Sequence, residues 1–192
     1  MPAPASITDR KLTVAEFLAL PEGDIAYELV GGYAVPKDHP MSPRRFHASL
    51  QKRLLWLLDA WCQGQGDVYS ELALVLQYQG ETWLPIPDLT YVSFQRWPDQ
   101  RTTDGPCPVA PELVIEILSP SQSLGEMTDK ALHYLAAGIP RVWVVDPSFK
   151  SITVFYPDAA PHNFTGSQIL RDDFLPGLAI IPQELFAQAR IP

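Results

Sequence analysis

The sequence predicts an α/β domain: a mixed β-sheet in the order α-β-β-β-α-β, flanked by helices, with an N-terminal hairpin and extra strands towards the C-terminus. Three observations carry this. The apolar run Pro111 to Leu118 leads into a capped helical stretch and then a second apolar run, Arg141 to Asp146, the pattern of parallel strands joined by a right-handed crossover helix. An amphipathic stripe at 43–62 marks a long helix ahead of them. Between the two lie short apolar runs broken by Gly80, Pro98, Gly105, Pro106 and Pro108. At 192 residues and 46% apolar composition, the chain suits one core, so 1–192 is read as a single domain with 1–10 and 187–192 as mobile ends.

Taken in order, Thr13-Val-Ala-Glu16 is a capping box before Phe17, Leu18 and Leu20, which predicts a short helix to about Pro21. Tyr27 to Val30 and Tyr33 to Val35 alternate around Gly31-Gly32 and predict a hairpin. In the long helix Leu50, Leu54, Leu57, Leu58 and Trp61 share one stripe, with Arg45, Lys52 and Arg53 opposite. Strands are expected at about 67–78, 87–93 and 111–118, as a meander. Ser123-Leu-Gly-Glu126 caps the next helix, which Gly138 and Pro140 end. Ser151 to Tyr156 forms a further strand after a turn at Asp146-Pro147.

The charge balance narrows the function. A formal net charge of −8 with 19% charged residues argues against a protein that coats nucleic acid with a uniformly positive surface, so any polyanion contact is local. No stretch approaches the roughly 18 apolar residues of a membrane span, and the start has no signal-peptide character. A soluble cytoplasmic protein is the expectation. Cys62 and Cys107 lack metal-ligand spacing and read as free thiols.

Three residues stand out chemically. In Pro111-Glu-Leu-Val-Ile-Glu-Ile-Leu118, Glu116 sits in the middle of an apolar strand, where an ionised carboxylate requires a compensating cation or lysine; the other reading is an edge strand with Glu116 facing water. Asp88 opens the apolar strand Leu89-Thr90-Tyr91-Val92 after Pro85-Ile86-Pro87, a setting that alone is more often a turn than a ligand. Paired with Glu116, it supplies hard oxygen ligands suited to magnesium or manganese. Lys130 borders the apolar stripe of the second helix, either leaning inward to stabilise phosphate charge or snorkelling to water. His47 reads first as a hydrogen-bonded core histidine and Glu28 as a hairpin surface charge, each with an auxiliary site role as the alternative. Arg44, Arg45, Lys52 and Arg53 form either a solvated helix face or the phosphate-contacting surface for DNA.

Pro87-Asp88 on the second core strand and Glu116 on the third resemble the PD-(D/E)xK restriction-endonuclease-like superfamily. More narrowly, Tyr27-Glu-Leu-Val-Gly-Gly32, His47, Pro87-Asp-Leu-Thr-Tyr-Val92, Glu112 to Ser121, Asp129-Lys130, Tyr134, Gly138 to Asp146 and Leu175-Pro-Gly-Leu178 resemble the Uma-two family of small endonuclease-type proteins. The resemblance implies a restriction-endonuclease-like core with Asp88 and Glu116 as ligands of Mg (or Mn) and water attacking a DNA phosphodiester. It also marks a departure. The superfamily signature has lysine two residues after the strand carboxylate, and Leu118 stands there, so Lys130 on the helix would supply the amine.

The leading expectation is therefore a magnesium-dependent endonuclease acting through Asp88, Glu116 and Lys130. Cutting both strands of a duplex requires two sites and favours a homodimer. The alternative is a catalytically inert nuclease-fold module that binds nucleic acid or a protein partner, which the acidic balance and the absent strand lysine favour. A third reading is a structural or antitoxin-like oligomer. Trp56, isolated on the polar face of the long helix, speaks for some association.

Overall fold

The structure is a computed structural model that describes residues 10–21, 27–36, 45–120 and 122–192. The first strands and helices are α1 (Val14–Leu18), β1 (Tyr27–Val30), β2 (Tyr33–Pro36), α2 (Arg45–Trp61), β3 (Gly66–Ser70), β4 (Leu76–Tyr78), β5 (Glu81–Leu84), β6 (Leu89–Ser93) and β7 (Leu113–Ile117). They are followed by α3 (Leu124–Ala136), β8 (Arg141–Asp146), β9 (Ser151–Phe155), β10 (His162–Thr165), β11 (Leu170–Arg171), β12 (Ala179–Ile180) and α4 (Pro182–Gln188).

The central sheet has six strands in the order β10-β9-β8-β7-β6-β3. It is mixed. β7 and β8 pair in parallel, whereas β3 with β6, β6 with β7, β8 with β9 and β9 with β10 are antiparallel. Helix α3 crosses between the parallel strands, and the core order α2, β3, β6, β7, α3, β8 is the restriction-endonuclease-like α-β-β-β-α-β arrangement. Both predicted capping boxes form: the Thr13 and Ser123 side chains each accept from the backbone N–H three residues on, and Glu16 and Glu126 reach back. Gly138, at φ +95°, takes the left-handed conformation that ends α3.

Two apolar layers sandwich the sheet. On one face Leu50, Leu54 and Leu58 of α2 pack with Leu89, Leu113, Ile115, Ile117 and Trp143, joined by Leu185 and Phe186 of α4. On the other, Met127, Ala131 and Tyr134 of α3 pack with Val92, Val114, Val142 and Val144. The period-two alternation of β7 thus divides Leu113, Ile115 and Ile117 from Val114 and Glu116. Glu116 is 3% exposed on a strand paired on both sides, so the edge-strand reading is set aside.

The expected strand at 67–78 is in fact two strands in two sheets. β3 joins the central sheet, but Glu71 adopts φ +53° and the chain leaves it. β4 then pairs with β5 in a second sheet of order β2-β1-β5-β4. The connection Gln79-Gly80 has φ +52° and +81°, a two-residue turn of the kind that matches strand twist. Glutamine at its first position hid the hairpin, since that place usually carries Asn, Asp or Gly. The meander expectation holds for β3, β6 and β7, with the β4–β5 excursion inserted.

At the C-terminus, where the sequence suggests a mobile tail, Ala189 and Ile191 are buried within the α2 and α4 core. Residues 1–9 and Arg44 lie outside the described residues. Cys62 and Cys107 are buried free thiols. Among the described residues, no helix is long and apolar enough to cross a membrane.

Candidate functional site

The site gathers where β6 begins and β7 ends. Antiparallel pairing puts Leu89 opposite Ile115 and Thr90 opposite Val114, so the next rung sets Asp88 beside Glu116. Asp88 is 1% exposed. Its Oδ2 accepts from the Ile117 N–H at 2.7 Å and lies 3.1 Å from His47 Nε2. The Gln51 amide donates to its backbone carbonyl at 3.1 Å. Asp88 is therefore fixed by the neighbouring strand and by two residues of α2.

Glu116 is held from the opposite helix. Lys130 and Tyr134 are four apart on α3 and so share a face. Tyr134 Oη donates to Glu116 Oε1 at 2.8 Å, and Lys130 Nζ lies 3.1 Å from the same oxygen. The amine also donates to Glu28 Oε1 at 2.8 Å. Lys130 thus leans inward, its side chain 18% exposed, and does not snorkel. Glu28, carried by β1, is 9% exposed and accepts from the Ile86 N–H at 3.3 Å as well. This overturns its reading as a hairpin surface charge: the second sheet turns it inward, where the lysine neutralises it.

These contacts set the protonation states. Burial alone lowers the pKa of Lys130, but the Glu116 and Glu28 carboxylates outweigh it and raise the pKa above the ordinary lysine value. The amine stays charged. Burial, reinforced by Glu116 and then Glu28, holds the Tyr134 phenol well above its usual pKa, so it remains a donor. What results is a carboxylate, Glu116, whose Oε1 faces a fixed cation and a fixed hydroxyl.

His47 is the hydrogen-bonded core histidine of its first reading. It is 7% exposed on the apolar stripe of α2, and its ring meets Asp88. The basic face is divided. Arg53 donates to the Gln188 side chain of α4, whereas Lys52 lies over the exposed Trp56 ring at 4.4 Å and Arg45 over Phe46 at 5.2 Å. Tyr134 and Gln51 are partners that the sequence reading did not single out for the site. For Tyr134 the signal was present: a hydroxyl one helical turn beyond Lys130 on the apolar stripe.

Among the described residues, no group of three or more His, Cys, Asp or Glu converges as a ready metal cage. The donor set is two hard carboxylates on one rung of adjacent strands. That suits magnesium or manganese, which take one or two protein carboxylates and fill the remaining positions with water and phosphate oxygens, better than zinc.

Comparison with known proteins agrees with this architecture. A solved protein from Anabaena variabilis ATCC 29413, described as a putative nuclease belonging to DUF820, superposes with a TM-score of 0.77 at 25% identity, covering 93% of this chain and 99% of its own. No curated protein matches the chain. The model of the Uma2 (Uma-two) family, described as "Putative restriction endonuclease", matches residues 14–185, and the chain belongs to that family.

Proposed function

We infer that the protein is a metal-dependent endonuclease that hydrolyses DNA phosphodiester bonds, with Asp88 and Glu116 holding Mg or Mn and Lys130 assisting. The observation that carries this reading is the inward Lys130 amine on Glu116 Oε1, with Asp88 beside Glu116 on the neighbouring strand. It provides from the helix the amine that Leu118 cannot provide from the strand.

A bound divalent ion would lower the pKa of an attacking water and neutralise charge on the scissile phosphate. The chain's own residues do the rest. Asp88 presents a carboxylate oriented by the Ile117 N–H and His47, and Glu116 one oriented by Tyr134. Lys130, held charged by Glu28 and Glu116, stabilises negative charge as it develops on the phosphate. With its pKa raised by the two carboxylates, the Lys130 amine acts as a charge stabiliser. Cutting both strands of a duplex would take two such sites in a homodimer.

The test is nicking of plasmid DNA with Mg or Mn by wild-type, Asp88→Ala and Glu116→Ala proteins, with folding checked by circular dichroism. Metal-dependent nicking lost in both variants supports the reading. Undiminished cutting by both would sink it.

A further inference from the structure

Beside the carboxylates lies a groove of about 560 Å3, within the range of roughly 300–1,000 Å3 typical of small-molecule sites. His47, which meets Asp88, forms part of its wall, so the groove adjoins the site. The remaining wall is mostly apolar, including Leu118, Pro120, Pro147 and Ile191. At its rim Phe46 is 37% exposed with the Arg45 guanidinium over the ring. Among the described lining residues Arg45 is the one cationic side chain apart from the His47 imidazole.

Such a wall does not suit an intact duplex. Duplex DNA offers phosphates outside and hides its bases, so proteins grip it with many lysines and arginines. This chain carries a net charge of −8. An apolar slot rimmed by an aromatic ring and a guanidinium suits the flat face of an unpaired base, which stacks without regard to sequence. A second station of the same kind lies farther along α2, where the Lys52 amine covers the 54% exposed Trp56 ring. Arg45, Lys52 and Trp56 fall on one stripe of the helix, over a length of about 16 Å, enough for a few nucleotides of a single strand.

We propose that this groove takes an unpaired nucleotide, so that the substrate is single-stranded DNA, or duplex DNA with an extruded base, rather than continuous duplex. The proposal rests on the nuclease reading for its chemistry but on Phe46 and Arg45 for its binding. Phe46 stacks on the base, Arg45 meets the flanking phosphate or the base face, and the strand continues past His47 to the carboxylates.

Wild-type protein in EDTA, which halts metal-dependent cutting, is titrated by fluorescence anisotropy with a single strand, the matched duplex, and the same duplex bearing one bulged base. The single strand and the bulge are expected to bind about tenfold or more tighter than the matched duplex. Phe46→Ala should remove that preference and Phe46→Tyr restore it, with melting curves showing both variants folded. Equal or tighter binding of matched duplex, an undiminished preference in Phe46→Ala, or no binding of any form overturns the proposal. So does a Phe46→Ala variant whose only change is in sedimentation mass, which would assign the groove to a second copy of the chain. Digestion with Mg or Mn in parallel separates the two ideas. Preferential binding without cutting supports the groove and overturns the nuclease reading, whereas cutting with a preference for matched duplex overturns the groove alone.

Discussion

Glu112 and Glu116 lie four residues apart, one just before β7 and one within it, yet their surroundings differ in kind. Glu112 accepts from the Ser93 hydroxyl at 2.6 Å and the Ser93 N–H at 3.0 Å, and pairs with Arg96 at 3.0 Å. Its cation is one-third exposed and serves it alone among the described carboxylates. Glu116 divides the Lys130 amine with Glu28 and has Asp88 beside it on the neighbouring strand. Burial of an acid is thus a poor guide to function by itself. The informative feature is acids crowded around a shared cation, where one more positive charge is electrostatically welcome.

The sharpest way to break this contrast is to neutralise each acid in turn. Asp88→Asn and Glu116→Gln should lower turnover by about a thousandfold or more, the scale of several kcal/mol of lost charge stabilisation, as read by initial rates of nicking. Glu112→Gln should leave turnover within about threefold while lowering stability by roughly 1–2 kcal/mol, because it weakens charged hydrogen bonds at a partly exposed pair. Equal damage from Glu112→Gln and Glu116→Gln would erase the distinction.

Next in size, Lys130→Met should reduce turnover by about a hundredfold, the effect of removing one charge-stabilising donor. Its pH signature sharpens the claim. The pKa of Lys130 is raised by its carboxylates, so its contribution to stability is complete below the unfolded-state value of about 10.4 and is lost as pH rises through the higher folded-state value. The difference in unfolding free energy between wild type and Lys130→Met should stay level from about pH 6 to about pH 9 and shrink above that. A difference that changed near neutrality would show that the amine is not held charged.

A smaller effect is expected of Tyr134→Phe. The change removes one 2.8 Å donation to Glu116. Metal affinity measured by calorimetry should fall by about tenfold, as for other groups that orient a ligand, and denaturant unfolding should show a loss of roughly 1.5–3 kcal/mol. The smallest effect belongs to the other end of the strand: Arg96→Ala should leave turnover within about twofold and remove about 1 kcal/mol of stability.

Much of this molecule was legible from its residues, and the unread parts share a cause. The α3 capping box, the parallel pair β7 and β8, and a carboxylate in an apolar strand are local patterns, and each appears where the sequence places it. Lys130 was ambiguous because helical projection puts it at the border of the stripe, and the carboxylates of Glu116 and Glu28, from two other elements, decide which way it leans. The His47–Asp88 contact spans 41 residues and the β4–β5 excursion joins strands from a different sheet, so neither leaves a periodic signature. Local rules read elements; the meeting of elements is set by packing.

The Glu28–Lys130 contact ties residues 102 positions apart and bridges the small sheet to α3. Closing so long a loop comes late for a chain whose helices and hairpins form from near neighbours. A chain that has folded only its central sheet therefore holds Lys130 on Glu116 alone, without the second carboxylate, Glu28. The complete cluster of Glu28, Lys130 and Glu116 thus marks a chain in which both sheets have come together.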